Sequence, residues 1–186
     1  MSMVKINGIN LNIKIQGEGE PLILIHGLGC DNTQWNTEIQ KLSREFKTVL
    51  LDCRGHGKSD KPDSYTLNDH IQDILSIMDT FGFKTANLYG VSMGSYIAQG
   101  VAISQPHRIK KLILTVPKSN GLTSSTQRLI KEHTGELEGV NPSSDGMLCA
   151  SLIPNATFIE MQYSGHIPMI EEPELYSNII NKFLSE

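Results

Sequence analysis

Gly90-Val91-Ser92-Met93-Gly94 is the segment of this 186-residue chain whose residue types and spacing most directly suggest chemistry. An apolar run, Ala86–Tyr89, precedes it, and a helical pattern, Met93–Gln105, follows and stops at Pro106. A serine on a sharp strand-to-helix turn presents its hydroxyl at the end of a sheet, where it can attack an electrophile. Gly90 and Gly94 suit such a turn because side chains there would collide with it. The first N–H groups of the helix, notably that of Met93, lack helical partners and point toward developing negative charge. The alternative is a Gly/Ser turn with no chemical role, a reading that the strand before it and the helix after it disfavour. A serine hydroxyl also needs a base, usually an imidazole held by a third group.

Six histidines are available. His166, in "QYSGHIPMIEEPE", lies in a glycine-containing loop after the last expected strand. Open α/β sheets place reactive groups on loops beyond the carboxyl ends of their strands, and this position obeys that rule. His26 and His56 also follow buried strands, but in Gly-rich turns where a ring can simply hydrogen-bond the backbone. His70, His107 and His133 read as surface residues.

The elements around these residues alternate. Val4–Asn7 and Ile9–Ile15 flank Asn7-Gly8 and predict an antiparallel hairpin. Leu22–Ile25, Thr48–Leu51, Ala86–Tyr89 and Leu112–Val116 are short apolar runs, as expected of strands buried on both faces. Gln34–Ser43 and Leu67–Phe81 have helical patterns, the latter with Ile71, Ile74, Leu75 and Met78 on one face and a stop at Gly82. Further on, a helix ending near Leu152, a strand at Thr157–Met161 and a closing helix at Pro173–Ser185 are predicted. The fold class is therefore α/β: a mostly parallel sheet with helices on both faces and an N-terminal antiparallel hairpin. The length suits a single domain, residues 1–186. Residues 118–146 interrupt the rhythm with a segment rich in Ser, Thr, Asn and Gly.

Composition narrows the function. A formal net charge of −4, spread along the chain, gives no basic surface for nucleic acid. No apolar run reaches membrane-spanning length, and the N-terminus has no signal-peptide core. The three cysteines, Cys30, Cys53 and Cys149, have no metal or redox spacing, and they read as free thiols in a reducing cytoplasm. No metal site and no cofactor motif is expected, since no G-x-G-x-x-G follows the first buried strand.

Four segments, in order, resemble the α/β-hydrolase fold family. "LILIHGLGC" is similar to its oxyanion loop, "LLDCRGHGKSD" to its D-x-R-G-x-G-x-S loop, "YGVSMGSYIAQG" to its nucleophile elbow, and "SGHIPMIEEPE" to its catalytic-histidine loop. The match covers residues 1–117 and about 147–186. The resemblance is to the branch of single-domain esterases, enol-lactonases and cofactor-free perhydrolases. A serine nucleophile argues against the dehalogenase and epoxide-hydrolase branches, which use aspartate. The resemblance implies Ser92 as nucleophile and His166 as base, with an oxyanion hole made by the backbone N–H groups of Leu28 and Met93. It implies structural roles for Asp52, Arg54 and Ser59. Gly27 lets the chain turn under the site, and Leu28, Trp35, Met93 and Ile167 are either pocket walls or ordinary core.

Two features depart from the family pattern. The helical cap is absent or reduced to a short loop, in a form that is either naturally minimal or shortened. The acid is the second. "GELEGVNP" matches the family's G-x-x-D-x-x-x-P with Glu138 in the aspartate's place, and Asp145 is the second choice. The preceding "RLIKEHT" reads equally as strand or helix. The implied function is hydrolysis of small carboxylic esters or lactones through an acyl-enzyme, with a preference for short chains. The alternative is a non-catalytic or weakly active binding or signalling protein, or a truncated scaffold, of the same fold. Apolar surface uncovered by a missing cap would favour a homo-oligomer.

Overall fold

The computed structural model describes residues 2–117, 143–165 and 167–186, of which 143–145 and 149 by their backbone alone. The chain divides into two compact units, Met1–Thr115 and Val116–Glu186.

The first unit is built on a six-stranded sheet: β1 (Ser2–Ile6), β2 (Ile9–Gln16), β3 (Glu20–Ile25), β4 (Phe46–Leu51), β5 (Ala86–Val91) and β6 (Ile109–Thr115). Their spatial order is β1-β2-β4-β3-β5-β6. β1 and β2 form the expected hairpin, with Ile6 paired to Ile9 across Asn7 (φ +45°) and Gly8 (φ +83°). Both central residues at positive φ match the twist of a two-residue hairpin turn. β2 runs antiparallel to β4, whereas β4, β3, β5 and β6 are parallel. The inner strand β5, flanked by β3 and β6, is buried at all six positions, as a parallel strand covered on both faces should be.

Side-chain alternation divides the core in two. On one face Ile23, Ile25, Val49, Leu51 and Leu88 join the apolar stripes of two helices, α2 (Leu67–Thr80) and α3 (Met93–Ser104). The register on the other face puts Leu22, Leu24, Leu50 and Tyr89 there, all at most 2% exposed. Trp35 packs edge-on against Tyr89, with ring centroids 4.7 Å apart. α2 begins at a capping box, in which the Thr66 hydroxyl accepts from Asp69 N–H and the Asp69 carboxylate accepts from Thr66 N–H.

The predicted helix at Gln34–Ser43 is instead two pieces, a 3-10 turn at Asn32–Trp35 and a one-turn helix, α1, at Ile39–Leu42. The Asp31 carboxylate caps the turn by accepting from Thr33 N–H at 2.8 Å, so the turn starts early. Asn36 and Thr37, both weak helix formers, separate the two pieces. His70, expected at the surface, lies on the buried side of α2 at 6% exposure, its ring edge-on to Tyr65.

The second unit contains helices at Ser143–Leu152, Pro168–Glu171 and Pro173–Ser185. The last one buries Tyr176, Ile180 and Leu184, an i, i+4, i+8 stripe. The predicted strand at Thr157–Met161 is not formed. That segment pairs with no described strand, and Phe158 and Ile159 are exposed. Strand propensity alone does not hold a strand whose backbone groups lack a neighbour.

Candidate active site

The parallel register explains where the candidate nucleophile sits. β3 and β5 are neighbours, with Ile25 opposite Gly90, so the loops that leave them emerge side by side. Ser92 lies between β5 and α3 with φ +52° and ψ −113°. A non-glycine residue at positive φ is strained and persists only where its surroundings fix it. The surroundings here do so. Ser92 N–H donates to Thr115 O at 3.0 Å, and Ser95 N–H donates to Ser92 O at 2.9 Å. The fully buried Ser95 hydroxyl lies 2.8 Å from both Gly90 O and Thr115 O. The ends of β5 and β6 and the first turn of α3 are thereby tied together.

Gly90 and Gly94 permit the close approach. A Cβ at Gly90 would overlap the Gly94 carbonyl, and one at Gly94 would overlap the carbonyls of Ile25 and His26. These are backbone atoms, which cannot swing aside. Met93 is the first residue of α3, so its N–H has no helical acceptor.

The loop after β3 runs alongside. Gly27 is buried, and a Cβ built there would stand 3.6 Å from Ser92 Cβ. Leu28, the next residue, is 57% exposed. Gly27 N–H donates to Gln34 Oε1 at 2.9 Å, and Gly27 O accepts from Cys30 N–H at 3.2 Å. His26 is completely buried, with Nδ1 2.7 Å from Gly27 O and Nε2 2.9 Å from Cys53 N. Burial holds its imidazole below the usual histidine range.

The loop after β4 is organised by carboxylates. Asp52 accepts from Lys58 N–H (2.8 Å), Asn12 Nδ2 (2.9 Å) and Asn32 N–H (2.9 Å), and also from Asn32 Nδ2. Burial alone would raise its pKa, but these donors together hold the carboxyl below its ordinary range. Ser59 Oγ donates to Asp52 O at 2.6 Å. Arg54 forms a buried two-pronged pair with Asp73, Nε to Oδ2 at 2.7 Å and Nη2 to Oδ1 at 2.5 Å. Asn7 Nδ2 also donates to that carboxylate at 3.0 Å.

The structure thus brings Ser92, Met93 and Gly27 together and puts Leu28 on the adjoining turn. Trp35, 1% exposed, is placed in the core. Ile167, 43% exposed, precedes the helix at Pro168 in the second unit. The two residues before position 166 are tethered within that unit: Ser164 Oγ donates to Glu172 and Gly165 N–H to Glu171, each at 2.5 Å. His166, Glu138 and the side chain of Asp145 lie outside the described residues. Among the described residues no cluster of His, Cys, Asp and Glu could hold a metal ion. None of their helices is long and apolar enough to cross a membrane. Sequence reading missed Gln34, Asn12, Asn32 and Asp73. Of these only Gln34 lies close to its partner in sequence, so a local signal existed for it alone.

A mostly parallel sheet in which an inner strand ends in a serine turn, beside a glycine loop from the neighbouring strand, defines a class of α/β protein. The family model for the alpha/beta hydrolase fold matches residues 20–132, more than half of the chain, and the chain belongs to that family. The (E)-2-((N-methylformamido)methylene)succinate hydrolase of Acinetobacter baylyi is 37% identical over 98 residues, which is 52% of this chain and 37% of the relative. The 3-oxoadipate enol-lactonase 1 of the same organism is 34% identical over 103 residues, 54% of this chain and 39% of the relative. Epoxide hydrolase 4 of Mus musculus is 35% identical over 116 residues, covering 60% and 32%. The chain therefore spans well under half the length of these curated relatives. Among solved structures, the enol-lactonase from Burkholderia xenovorans LB400 superposes with a TM-score of 0.86 at 20% identity, covering 100% of both chains. A hydrolase from Pseudomonas aeruginosa PA01 gives 0.87 at 20% identity, covering 100% of this chain and 98% of the other. These two likenesses bear on the fold alone.

Proposed function

We propose that this chain is a serine hydrolase that cleaves small carboxylic esters or lactones through an acyl-enzyme. The observation that carries the reading is the backbone of Ser92, held at φ +52° between β5 and α3. Ser92 Oγ attacks the substrate carbonyl carbon while His166 takes its proton. The resulting oxyanion is held by the N–H groups of Leu28 and Met93. Collapse expels the alkoxide, which leaves with the proton from His166. Water, deprotonated by His166, then attacks the acyl-enzyme, and the carboxylic acid departs as Ser92 regains its proton. Glu138 is the proposed acid that orients His166, with Asp145 as second choice.

Relatives named as an enol-lactonase and a succinate hydrolase support small carbonyl substrates. A relative named as an epoxide hydrolase shares a similar identity. The resemblance assigns that branch an aspartate nucleophile, so serine at position 92 favours acyl transfer.

A fluorophosphonate probe tests this. The folded chain takes up one label, on Ser92, and Ser92→Ala takes up none. The same substitution lowers turnover of a short-chain ester such as p-nitrophenyl acetate by roughly 10⁴-fold or more. Absence of labelling on folded chain overturns the proposal.

A further inference from the structure

The ring of His26 has two fixed contacts, and together they allow one protonation state. A backbone N–H only donates, so Nε2, 2.9 Å from Cys53 N, must present a lone pair. A carbonyl only accepts, so Nδ1, 2.7 Å from Gly27 O, must carry the hydrogen. His26 is therefore neutral with its proton on Nδ1. A second proton would set an N–H against the N–H of Cys53.

The donor on Nδ1 acts on one peptide plane. Gly27 C=O and Leu28 N–H belong to the same rigid trans unit and point to opposite sides of the chain. No cis peptide occurs among the described residues. Two donors, His26 Nδ1 and Cys30 N–H, pin the Gly27 carbonyl, and so they fix the direction of the Leu28 N–H. The preceding plane is fixed as well, because Gly27 N–H donates to Gln34 Oε1. This loop adjoins the nucleophile, with a Gly27 Cβ position 3.6 Å from both Ser92 Cβ and Val91 O.

We propose that His26 is a positioning residue which, by donating from Nδ1 to the Gly27 carbonyl, aims the Leu28 N–H at the oxyanion formed on Ser92. The inference rests on the acyl-enzyme reading above. Its physical basis is that a donor stabilises a developing charge fully only when it is aimed beforehand. The contact with Cys53 has a different job, since it ties the loop after β3 to the loop after β4.

Substitution separates the two contacts. An asparagine amide nitrogen reaches about where Nδ1 lies, so His26→Asn keeps the donor to Gly27 O and loses the acceptor for Cys53. A glutamine amide oxygen reaches about where Nε2 lies, so His26→Gln keeps the acceptor and loses the donor. The full chain and both variants are assayed for kcat and KM on p-nitrophenyl acetate, for fluorophosphonate labelling rate, and for urea midpoint. His26→Gln retains KM within about twofold and loses kcat by about tenfold or more, below the roughly 10²–10³-fold cost of deleting an oxyanion donor. His26→Asn loses more stability but less kcat. Wild-type kcat in His26→Gln, or a kcat that follows the urea midpoint, overturns the positioning role and leaves the acyl-enzyme reading intact. A wild-type chain that neither labels nor turns over overturns both. Imidazole ¹⁵N spectra of the wild-type chain give a test that needs no variant: a pyrrole-type Nδ1 with a pyridine-type Nε2 supports the proposal, and the reverse tautomer overturns it.

Discussion

Residues 2–115 and residues 143–186 are stabilised by different means. The first region joins an apolar core to buried or part-buried polar clusters whose members are far apart in sequence, such as Asn12–Asp52–Asn32 and Asn7–Asp73–Arg54. The second has an amphipathic closing helix, and side-chain hydrogen bonds such as Ser164–Glu172 and Gly165–Glu171 join neighbours in sequence, while Met147, Leu152, Tyr163 and Ile170 are exposed. The turn that holds Ser92 belongs entirely to the first region. A strained turn needs surroundings that over-determine it, and long-range hydrogen bonds in a dry interior supply that. The base proposed at His166 needs no such strain, and the two residues before it are held by two glutamates close by in sequence.

The strongest way to break this contrast is to remove one member of a buried cluster. Arg54→Met leaves Asp73 buried with Asn7 as its remaining described side-chain donor, and it should cost about 3–5 kcal/mol in urea unfolding. Adding Asp73→Leu should restore much of that loss, because no charge is then stranded. A single-variant loss below about 1 kcal/mol would show that the polar clusters are decoration.

A milder test uses pH. Burial pushes the His70 imidazole down to about 4, against the Asp73 carboxylate, which favours its protonation, and with Arg54, His56 and His26 opposing it. The unfolded chain accepts this proton first as pH falls below the ordinary histidine value of about 6.5. The stability linked to His70 is therefore complete above pH 6.5, declines from there to about pH 4, and is level below. His26, lowered by burial as well, adds to the decline. Urea midpoints taken across that window should fall, and His70→Phe should flatten part of the slope. An unchanged slope in the variant removes His70 from the account.

The smallest effect belongs to the other region. Leu152 is 69% exposed, so Leu152→Gln should change the urea midpoint by no more than about 0.5 kcal/mol. A loss like that of Arg54→Met would mean that the two regions are stabilised alike.

The sequence made some of this legible and hid the rest for physical reasons. The hairpin at Asn7-Gly8, the buried parallel strands and the serine turn were readable because each depends on residues adjacent in the chain. The clusters around Asp52 and Asp73 were not, because their donors lie up to 66 residues away. His70 read as surface because a histidine has no fixed preference for either side of a helix. Which face is buried was set by Ile71, Ile74 and Met78 and by the strands below. The run Thr157–Met161 had the composition of a strand but lacked a described neighbour to pair with. Gln34 was read only as the start of a helix, although its amide fixes the peptide before Gly27.

The backbone of Ser92 has a consequence for how such a chain changes over generations. A residue with a side chain at φ +52° carries a penalty on the order of 1–3 kcal/mol. Glycine would carry almost none of it. Selection for stability alone would therefore drift position 92 toward glycine and erase the hydroxyl. If Ser92 is the nucleophile proposed above, its hydroxyl is what offsets that drift, and the strain of this turn is a cost of the chemistry rather than of the fold.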